Sequence, residues 1–139
     1  MANGMNIDEL RVGMTAEIGH KVSEADIVDF ARVTGDNNPV HLDEAYAQGT
    51  PFKGRIAHGM LTAGLISAVL GTKLPGPGCI YMSQTLAFRA PVRIGDTVTT
   101  RVTVKEVIAD KRRVKLETVC LVNDKSVLDG EALLMVPAG

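Results

Sequence analysis

The sequence predicts a single domain of the α+β class, in which a curved antiparallel sheet packs around one apolar helix. Two observations carry this prediction. The segment His58–Thr72 contains no Lys, Arg, Asp or Glu and is apolar on nearly every side, as expected of a helix surrounded by protein. From Cys79 onward the hydrophobic period changes to two, which is typical of strands. We assign residues 1–139 to this one domain, with residues 1–10 as a tail.

The first half of the chain is predicted to hold one strand and two shorter helices before the apolar helix. Val12–Val22 supplies the opening strand. Ser23 follows as a helix N-cap, because serine side chains accept hydrogen bonds from the free N–H groups of a first turn. Apolar residues then recur at helical spacing up to Gly35, a residue type common just past a helix end. After an irregular stretch, a second short helix is expected over residues 43–48.

The second half is predicted to form hairpins. Val98–Lys105 and Val114–Cys120 alternate apolar and polar residues, and Ser126–Val136 supplies a last strand. The segments between strands, at residues 94–96, 109–111 and 123–125, contain the Gly, Asp or Asn residues that favour tight turns. Strands joined by such short turns run antiparallel.

Composition and charge exclude several classes of function. The chain has 15 Lys and Arg against 16 Asp and Glu, a net charge of −1, so no basic field favours nucleic acid or an anionic membrane surface. The uncharged stretch Ile56–Thr72 is shorter than the roughly 20 residues that span a bilayer. The N-terminus has no basic segment followed by an apolar run. We therefore expect no nucleic-acid partner, no membrane partner and a cytoplasmic location.

Candidate catalytic residues lie in the irregular stretch Gly35–His41. If this stretch were extended, Asp36 and His41 would lie roughly 17 Å apart; on a helix they would point about 140° apart. Only a chain reversal brings them together, and Asn38 followed by Pro39 favours one. A carboxylate and an imidazole that meet beside an apolar helix can form an acid/base pair. Alternatively, Asp36 caps the turn and His41 is an ordinary half-buried histidine.

A second candidate feature is the start of the apolar helix at His58 and Gly59. The first N–H groups of a helix have no intrahelical acceptor, and glycine lets a ligand carbonyl approach its amide closely, as an oxyanion site requires. The alternative is a tight turn with His58 as a local hydrogen-bonding residue. Asp36, His41 and His58 are also metal-ligand types, but no two of them have helical i, i+3 or i, i+4 spacing, so no metal is expected.

Ser67 places a hydroxyl within the apolar helix. The usual explanation is a hydrogen bond to the carbonyl oxygen four residues earlier, here that of Ala63. No GxSxG pattern surrounds Ser67, so a serine nucleophile is not expected. Ser67 lies roughly 12 Å along the helix axis from Gly59, so it cannot share the role of the helix start.

The segment Phe30–His41, with Ala47 six residues later, resembles the hydratase-2 motif of the MaoC-like dehydratases without departure. His58–Met60 and Ile80–Phe88 also resemble the (R)-specific enoyl-CoA hydratases, small enzymes that feed polyhydroxyalkanoate synthesis from fatty-acid oxidation. The resemblance extends over residues 12–136. Its Asp–Asn–Pro–His core is specific for the superfamily and less so for one substrate.

The resemblance implies a hot-dog fold, in which a sheet wraps a long helix, and a homodimer. It also implies reversible syn hydration of a trans-2-enoyl-CoA to an (R)-3-hydroxyacyl-CoA, without a metal or redox cofactor, since coenzyme A is part of the substrate. By motif position, Asp36 and His41 are then the catalytic pair that activates water, and the Gly59 amide donates to the thioester oxygen. Ser67 is implied as a supporting catalytic residue that either lines the pocket or bonds Asp36.

We expect Asp36 to act as the base and His41 to deliver the proton, although the two can share or exchange these roles. Helix side chains are expected to bind the acyl chain and to set its length. The residues assigned to substrate binding are His58, Leu65, Val69 and Leu70.

Rival functions exist on the same fold. A thioesterase would cleave the acyl–CoA bond and release a thiol. A non-catalytic acyl-CoA-binding subunit would lack the complete acid/base pair. A dehydratase for 3-hydroxyacyl groups on acyl carrier protein belongs to the same reaction class as the hydratase.

Overall fold

The computed structural model describes residues 4–139, so Met1–Asn3 of the predicted tail lie outside the described residues. The helices and strands are β1 (Thr15–Lys21), α1 (Glu24–Thr34), α2 (Pro39–Leu42), α3 (Glu44–Gln48), α4 (Gly59–Thr72), β2 (Ile80–Gln84), β3 (Ala87–Phe88), β4 (Thr97–Ile108), β5 (Arg113–Val122) and β6 (Lys125–Met135). All strand pairs are antiparallel, in the order β1-β4-β5-β6-β2, and β3 also pairs with β6. The predicted α+β class is confirmed.

Helix α4 lies at the centre of the core. Its residues Ile66, Val69 and Leu70 are at most 1% exposed, and the helix packs against β4 and β5. Burying such side chains contributes roughly 1.5–3 kcal/mol each. The helix has 14 residues, and none of the helices within residues 4–139 is long and apolar enough to cross a membrane.

The segment before β1 differs from the tail that the sequence predicts over residues 1–10. Ile7 and Leu10 are 7% and 2% exposed and belong to the same core as α4. The N–H of Ile7 also donates to the carbonyl oxygen of Pro137 at 3.0 Å. Residues 4–10 therefore pack on the domain, because their apolar side chains gain by burial.

Both ends of α1 form as predicted. The Ser23 hydroxyl accepts a hydrogen bond from the Asp26 N–H at 3.1 Å, and the Asp26 carboxylate accepts one from the Ser23 N–H at 3.0 Å. This reciprocal arrangement is a capping box. Gly35 ends the helix with φ of 79°, in the left-handed region that glycine adopts at little cost. The chain is thereby turned out of α1 immediately before Asp36.

Several elements differ from the sequence prediction in their bounds, and two of the differences have an identifiable cause. Helix α2 lies within the stretch predicted to be irregular; it begins at Pro39, whose fixed φ suits a first helical position, and it is too short to show a periodic pattern. Strand β4 is longer than the predicted Val98–Lys105. A register shift between Val104 and Glu106 interrupts its alternation, which hides the continuation to Ile108.

Candidate active site

The chain reversal between α1 and α2 brings Asp36 and His41 together. One carboxylate oxygen of Asp36 and one ring nitrogen each of His41 and His58 lie within 4.8 Å of one another. The Asp36 carboxylate also accepts a hydrogen bond from the Asn38 N–H at 3.2 Å. Asp36 therefore also caps the turn, as the alternative interpretation predicted, and this hydrogen bond restrains its carboxylate.

His41 is buried, and its Nδ1 lies 2.8 Å from the carbonyl oxygen of Ile56. A carbonyl oxygen only accepts, so Nδ1 carries the hydrogen and Nε2 of the neutral ring has a free lone pair. Burial lowers the pKa of His41 from its ordinary value of 6.5, and the hydrogen bond to Ile56 opposes this shift only in part. His41 is therefore equipped to accept a proton at Nε2.

His58 is almost completely buried, with 1% of its surface exposed. Its Nε2 donates to the main-chain oxygen of Asp36 at 3.0 Å. Its ring is stacked on that of His41, with centroids 3.9 Å apart, and also packs against Phe30. Its Nδ1 has no hydrogen-bond partner in the part of the chain that the structure describes. The local hydrogen-bonding role, one of the alternatives for His58, is confirmed.

Arg55 ties this region together from the loop before α4. Its Nε donates to the main-chain oxygen of His41 at 2.7 Å, and its two terminal nitrogens bind the carboxylate of Glu24 at 2.6 and 3.1 Å. The main-chain N–H of Arg55 donates to the side-chain carboxylate of Glu44 at 3.3 Å. Arg55 thus links α1, α2 and α3 around the site.

A cavity of about 350 Å³ opens at the start of α4. It is mainly apolar, and its lining consists of Phe52, Ile56, Ala57, Gly59, Thr62, Phe88, Arg89, Ala90, Pro91, Val92, Val127 and Leu128. Ile56, whose carbonyl oxygen binds His41, and Gly59 connect the cavity to the acid/base pair. Asp36 and His41 are not among the lining residues.

Gly59 is the first residue of α4 and is exposed to the cavity. The N-cap residue His58 makes no side-chain capping hydrogen bond, so the first N–H groups of the helix are left for another acceptor. A Cβ at Gly59 would lie 2.6 Å from Cε1 of Phe88. Glycine is therefore needed here to keep the amide open beside the Phe88 ring.

Several residues expected to bind substrate do not line this cavity. Val69 and Leu70 lie in the hydrophobic core, and Leu65 packs against that core. His58 is enclosed beneath the histidine stack. The physical reason is distance along the helix: Leu65 and Val69 lie roughly 9 and 15 Å along the axis from Gly59, whereas the cavity is at the start of α4.

Ser67 is exposed on α4. Among the described residues, no hydrogen bond links its hydroxyl to Ala63 or to Asp36. Such a bond to the i−4 carbonyl does occur elsewhere on the helix, from Thr72 to Ala68 at 2.6 Å. The supporting role implied for Ser67 stays a prediction.

Some contributors to the site were not identified from the sequence. The Ile56 carbonyl is a main-chain group and leaves no signal in residue types. Thr62 is 3% exposed and lines the cavity one turn after Gly59; its position at i+3 from Gly59 could have indicated it. Phe88 lies within a segment that the sequence singled out, but its approach to Gly59 depends on the pairing of β3 with β6.

Asp36, His41 and His58 are the residues that could hold a metal ion. Their geometry does not favour one. The histidine rings are stacked at an interplanar angle of 29°, so their nitrogens lie side by side, whereas ligands of a tetrahedral ion must converge. Each ring donates one hydrogen bond to a main-chain oxygen and keeps its other nitrogen free, so these hydrogen bonds do not decide for or against an ion. The absence of a metal or redox cofactor stays a prediction.

Residues 9–127 match the MaoC like domain, and the chain belongs to this family. It is 58% identical over 130 residues to 3-hydroxybutyryl-CoA dehydratase of Methylorubrum extorquens, and this match covers 94% of this chain and 83% of that protein. It is 55% identical over 131 residues to (R)-specific enoyl-CoA hydratase of Rhodospirillum rubrum, which covers 94% of this chain and 91% of that protein.

Solved structures of the same kind superpose closely. The unliganded R-hydratase of Pseudomonas aeruginosa matches with a TM-score of 0.92 and 48% identity, covering 98% of this chain and 88% of that one. The (R)-hydratase of Aeromonas caviae involved in PHA biosynthesis matches with a TM-score of 0.90 and 40% identity, covering 93% and 98%. The α+β architecture is the hot-dog fold, as the resemblance implies.

Proposed function

We propose that this chain is an (R)-specific enoyl-CoA hydratase, a hydro-lyase that adds water reversibly to a trans-2-enoyl-CoA. The observation that carries the proposal is the meeting of the Asp36 carboxylate with His41, next to a cavity whose lining includes Gly59. The names of two relatives, a 3-hydroxybutyryl-CoA dehydratase and an (R)-specific enoyl-CoA hydratase, describe the two directions of one type of reaction.

The water molecule is held between Asp36 and His41. Two hydrogen bonds of about 2.8 Å from one water can bridge acceptors up to roughly 5 Å apart, and the separation within the cluster is no more than 4.8 Å. One water hydrogen points to the Asp36 carboxylate and the other to Nε2 of His41. Both groups are acceptors in this arrangement, which orients the water oxygen toward the substrate.

His41 takes the water proton as the oxygen attacks C3 of the enoyl group. The hydrogen bond from His41 Nδ1 to Ile56 supports this assignment, since it leaves Nε2 as the proton acceptor. His41 thereby takes the role of base that the sequence predicted for Asp36, keeps its own role of delivering the proton, and leaves Asp36 to hold the water. The C2–C3 π pair becomes the C1–C2 double bond of an enolate, and the carbonyl π pair moves to the thioester oxygen, where the Gly59 N–H stabilises the negative charge. The imidazolium of His41 then returns the proton to C2 on the same face, giving syn addition.

The proposal includes a homodimer. Strand β2 is at the edge of the sheet, and its residues Ile80, Tyr81 and Met82 are 58%, 39% and 41% exposed. An apolar edge strand invites pairing with another strand. A second copy of β2 is a suitable partner, since the sheet would then continue across both chains.

The remaining parts of the proposal concern substrate and location. Coenzyme A enters as part of the substrate, and no separate cofactor is needed for this addition. The reaction is placed in the cytoplasm on the strength of the sequence alone. Acyl groups on acyl carrier protein are the alternative substrate, supported by a 34% identical mitochondrial 3-hydroxyacyl-[acyl-carrier-protein] dehydratase of Solanum lycopersicum.

The test is to mix the purified protein with crotonyl-CoA and to follow enone absorbance and free thiol together. Hydration lowers the absorbance without releasing thiol, and chiral chromatography of the hydrolysed product gives (R)-3-hydroxybutyrate. Thiol release would identify a thioesterase. If neither the absorbance nor the thiol concentration changes, even with enoyl chains of increasing length, the protein is a non-catalytic binding protein. Crotonyl-acyl carrier protein assayed in parallel separates the two carriers.

A further inference from the structure

We propose that His58 is a positioning residue that holds the Asp36–His41 pair in its working geometry through two separate contacts. This inference rests on the proposed hydratase function. His58 does not line the cavity and touches neither the water nor the substrate in the proposed mechanism, so it acts through its two neighbours. One contact is a hydrogen bond to the main chain of Asp36, and the other is a ring stack on His41.

The first contact fixes the backbone at Asp36. The Asp36 side chain is exposed and follows a left-handed glycine in a turn, where few packing contacts restrain the chain. The hydrogen bond from Nε2 of His58 to the Asp36 carbonyl oxygen, at 3.0 Å, ties this turn to the buried start of α4. Without that hydrogen bond, the turn keeps its short-range hydrogen bonds from Asn38 to the Asp36 carboxylate, from Asp36 to the Thr34 hydroxyl and from Asn37 to the Gly35 carbonyl oxygen, none of which reaches α4.

The second contact fixes the plane of the His41 ring. The hydrogen bond from Nδ1 to Ile56 restrains one edge of the ring but allows it to tilt about that bond. The His58 ring, with its centroid 3.9 Å from that of His41 at an interplanar angle of 29°, covers one face and prevents the tilt. Nε2 of His41 is thereby aimed in one direction.

The unpartnered Nδ1 of His58 supports a positioning role for this residue. A buried polar atom without a hydrogen bond destabilises the fold, and an apolar ring would pack at this place without that penalty. His58 is 1% exposed and its Nδ1 has no acceptor or donor among residues 4–139. The penalty is offset if the other ring nitrogen and the ring face both serve the site. Buried polar atoms without a hydrogen bond are rare in native proteins, and a functional role is one explanation for them.

Two substitutions separate the contacts. His58→Phe keeps a ring beneath His41 and removes the donor to Asp36, whereas His58→Gln keeps a donor at the position of Nε2 and removes the ring. His20→Gln is the matched control, because His20 is a half-exposed histidine paired with Asp26 and is not part of the site. The chain has 3 histidines, so nitrogen-15 NMR of labelled histidine resolves each ring. The His20 and His58 variants each remove one set of signals, which assigns the remaining set to His41.

We expect each His58 variant to lower kcat for crotonyl-CoA hydration by about 10- to 100-fold, the usual effect of a small misplacement of reacting groups, with KM nearly unchanged. In His58→Gln the His41 ring keeps its Nδ1–H tautomer, because the hydrogen bond to Ile56 remains, but its ring signals broaden as the ring tilts; in His58→Phe they stay as sharp as in the wild type. The thermal unfolding temperature of His58→Phe is expected to be close to that of the wild type. The control His20→Gln should change neither kcat nor the His41 signal.

The proposal is overturned if both variants keep kcat within about twofold of the wild type, well short of the loss expected from misplacement. It is also overturned if kcat falls only in proportion to the folded fraction, since His58 would then be purely structural. If the wild type itself does not hydrate crotonyl-CoA, the proposed function fails, but the NMR measurement still decides the positioning role: His41 ring signals as sharp in His58→Gln as in the wild type refute it, and broadened signals support it.

Discussion

His41 donates a hydrogen bond from Nδ1 to the carbonyl oxygen of Ile56, 2.8 Å away. This contact selects the tautomer whose Nε2 is free, and burial keeps that tautomer neutral by lowering the pKa of the ring. The acid/base chemistry of the site therefore depends on a main-chain group in the loop before α4, on an element other than the one that carries His41.

The pH dependence of the reaction follows from this pKa. His41 must be neutral to accept the water proton, so kcat/KM is constant above the pKa of the folded protein and falls as pH drops through it. Because burial lowers that pKa below the ordinary 6.5, the acidic limb is expected below pH 6.5. A profile of log kcat/KM against pH measures it, since kcat/KM reports the free enzyme. A midpoint at or above 6.5 would contradict the assignment, and His20→Gln should leave the profile unchanged.

Removing either member of the pair should abolish most activity without unfolding the protein. Asp36→Asn and His41→Gln are each expected to lower kcat by at least about 10², because one loses an acceptor for water and the other the proton acceptor. Crotonyl-CoA hydration and circular dichroism melting are the measurements. Near-normal turnover in a folded variant of either kind would refute the roles given to the pair.

Gly59→Ala tests the oxyanion donor. The added methyl group would meet the Phe88 ring, and Phe88 can move because it is 55% exposed. Folding should be retained, since alanine is a better helix former than glycine. The carbonyl of the substrate would meet the methyl group instead of an open amide, so kcat should fall toward the loss of about 10²–10³ that follows removal of an oxyanion donor.

The control for Gly59→Ala is Gly19→Ala on the edge strand β1, where a Cβ meets no atom within 4 Å. This variant should keep full activity. If Gly59→Ala were equally active, the helix start would be a tight turn without an oxyanion role.

Much of the fold could be predicted because local signals agreed with it. Ser23, Gly35 and the turn at 123–125 each carry residue types that their backbone geometry demands, and the structure confirms all three. The length of β4 and the existence of α2 could not be predicted. A register shift removes the period of two in the first case, and a helix of 4 residues shows no periodicity in the second.

Gly130 on β6 is required for close approach of the chain at Thr85. A Cβ built at Gly130 would overlap the carbonyl oxygen of Thr85, which is main chain and cannot rotate away. Gly130→Ala should therefore lower the free energy of unfolding by about 1–3 kcal/mol, as overpacking does. Urea unfolding measures it, and Gly19→Ala should stay within about 0.5 kcal/mol of the wild type. Equal stability of the two variants would show that the strand segment shifts freely.

Ile80→Lys tests the proposed dimer. A lysine on the exposed edge strand β2 places a charge where a second β2 would pair, a feature that opposes edge-to-edge association. We expect light scattering after gel filtration to give the mass of two chains for the wild type and of one chain for Ile80→Lys. Val33→Lys on α1, where the side chain is 72% exposed, is the control and should leave the mass unchanged. A wild type with the mass of one chain would refute the dimer.

The site could be predicted where a residue type itself points to the chemistry, as Asp, His and a glycine at a helix start do. Asp36, His41 and Gly59 are recognisable from residue type and spacing, and the structure brings the first two together. The acceptor at Ile56 and the approach of Phe88 to Gly59 depend on long-range packing between a loop, a helix and a strand. Val69 and Leu70, which the sequence assigned to substrate binding, lie in the core and do not line the cavity, since an apolar residue on a buried helix looks the same in the sequence whether it faces a ligand or a sheet.

The two ends of α4 have separate tasks, and this division bears on how the protein could be re-engineered. Ile66, Val69 and Leu70 are buried in the core, so trimming them to make room for bulkier acyl groups is expected to lower heat resistance by leaving cavities. Thr62 and Val127, which border the cavity, are the positions at which a library aimed at longer or branched chains should begin.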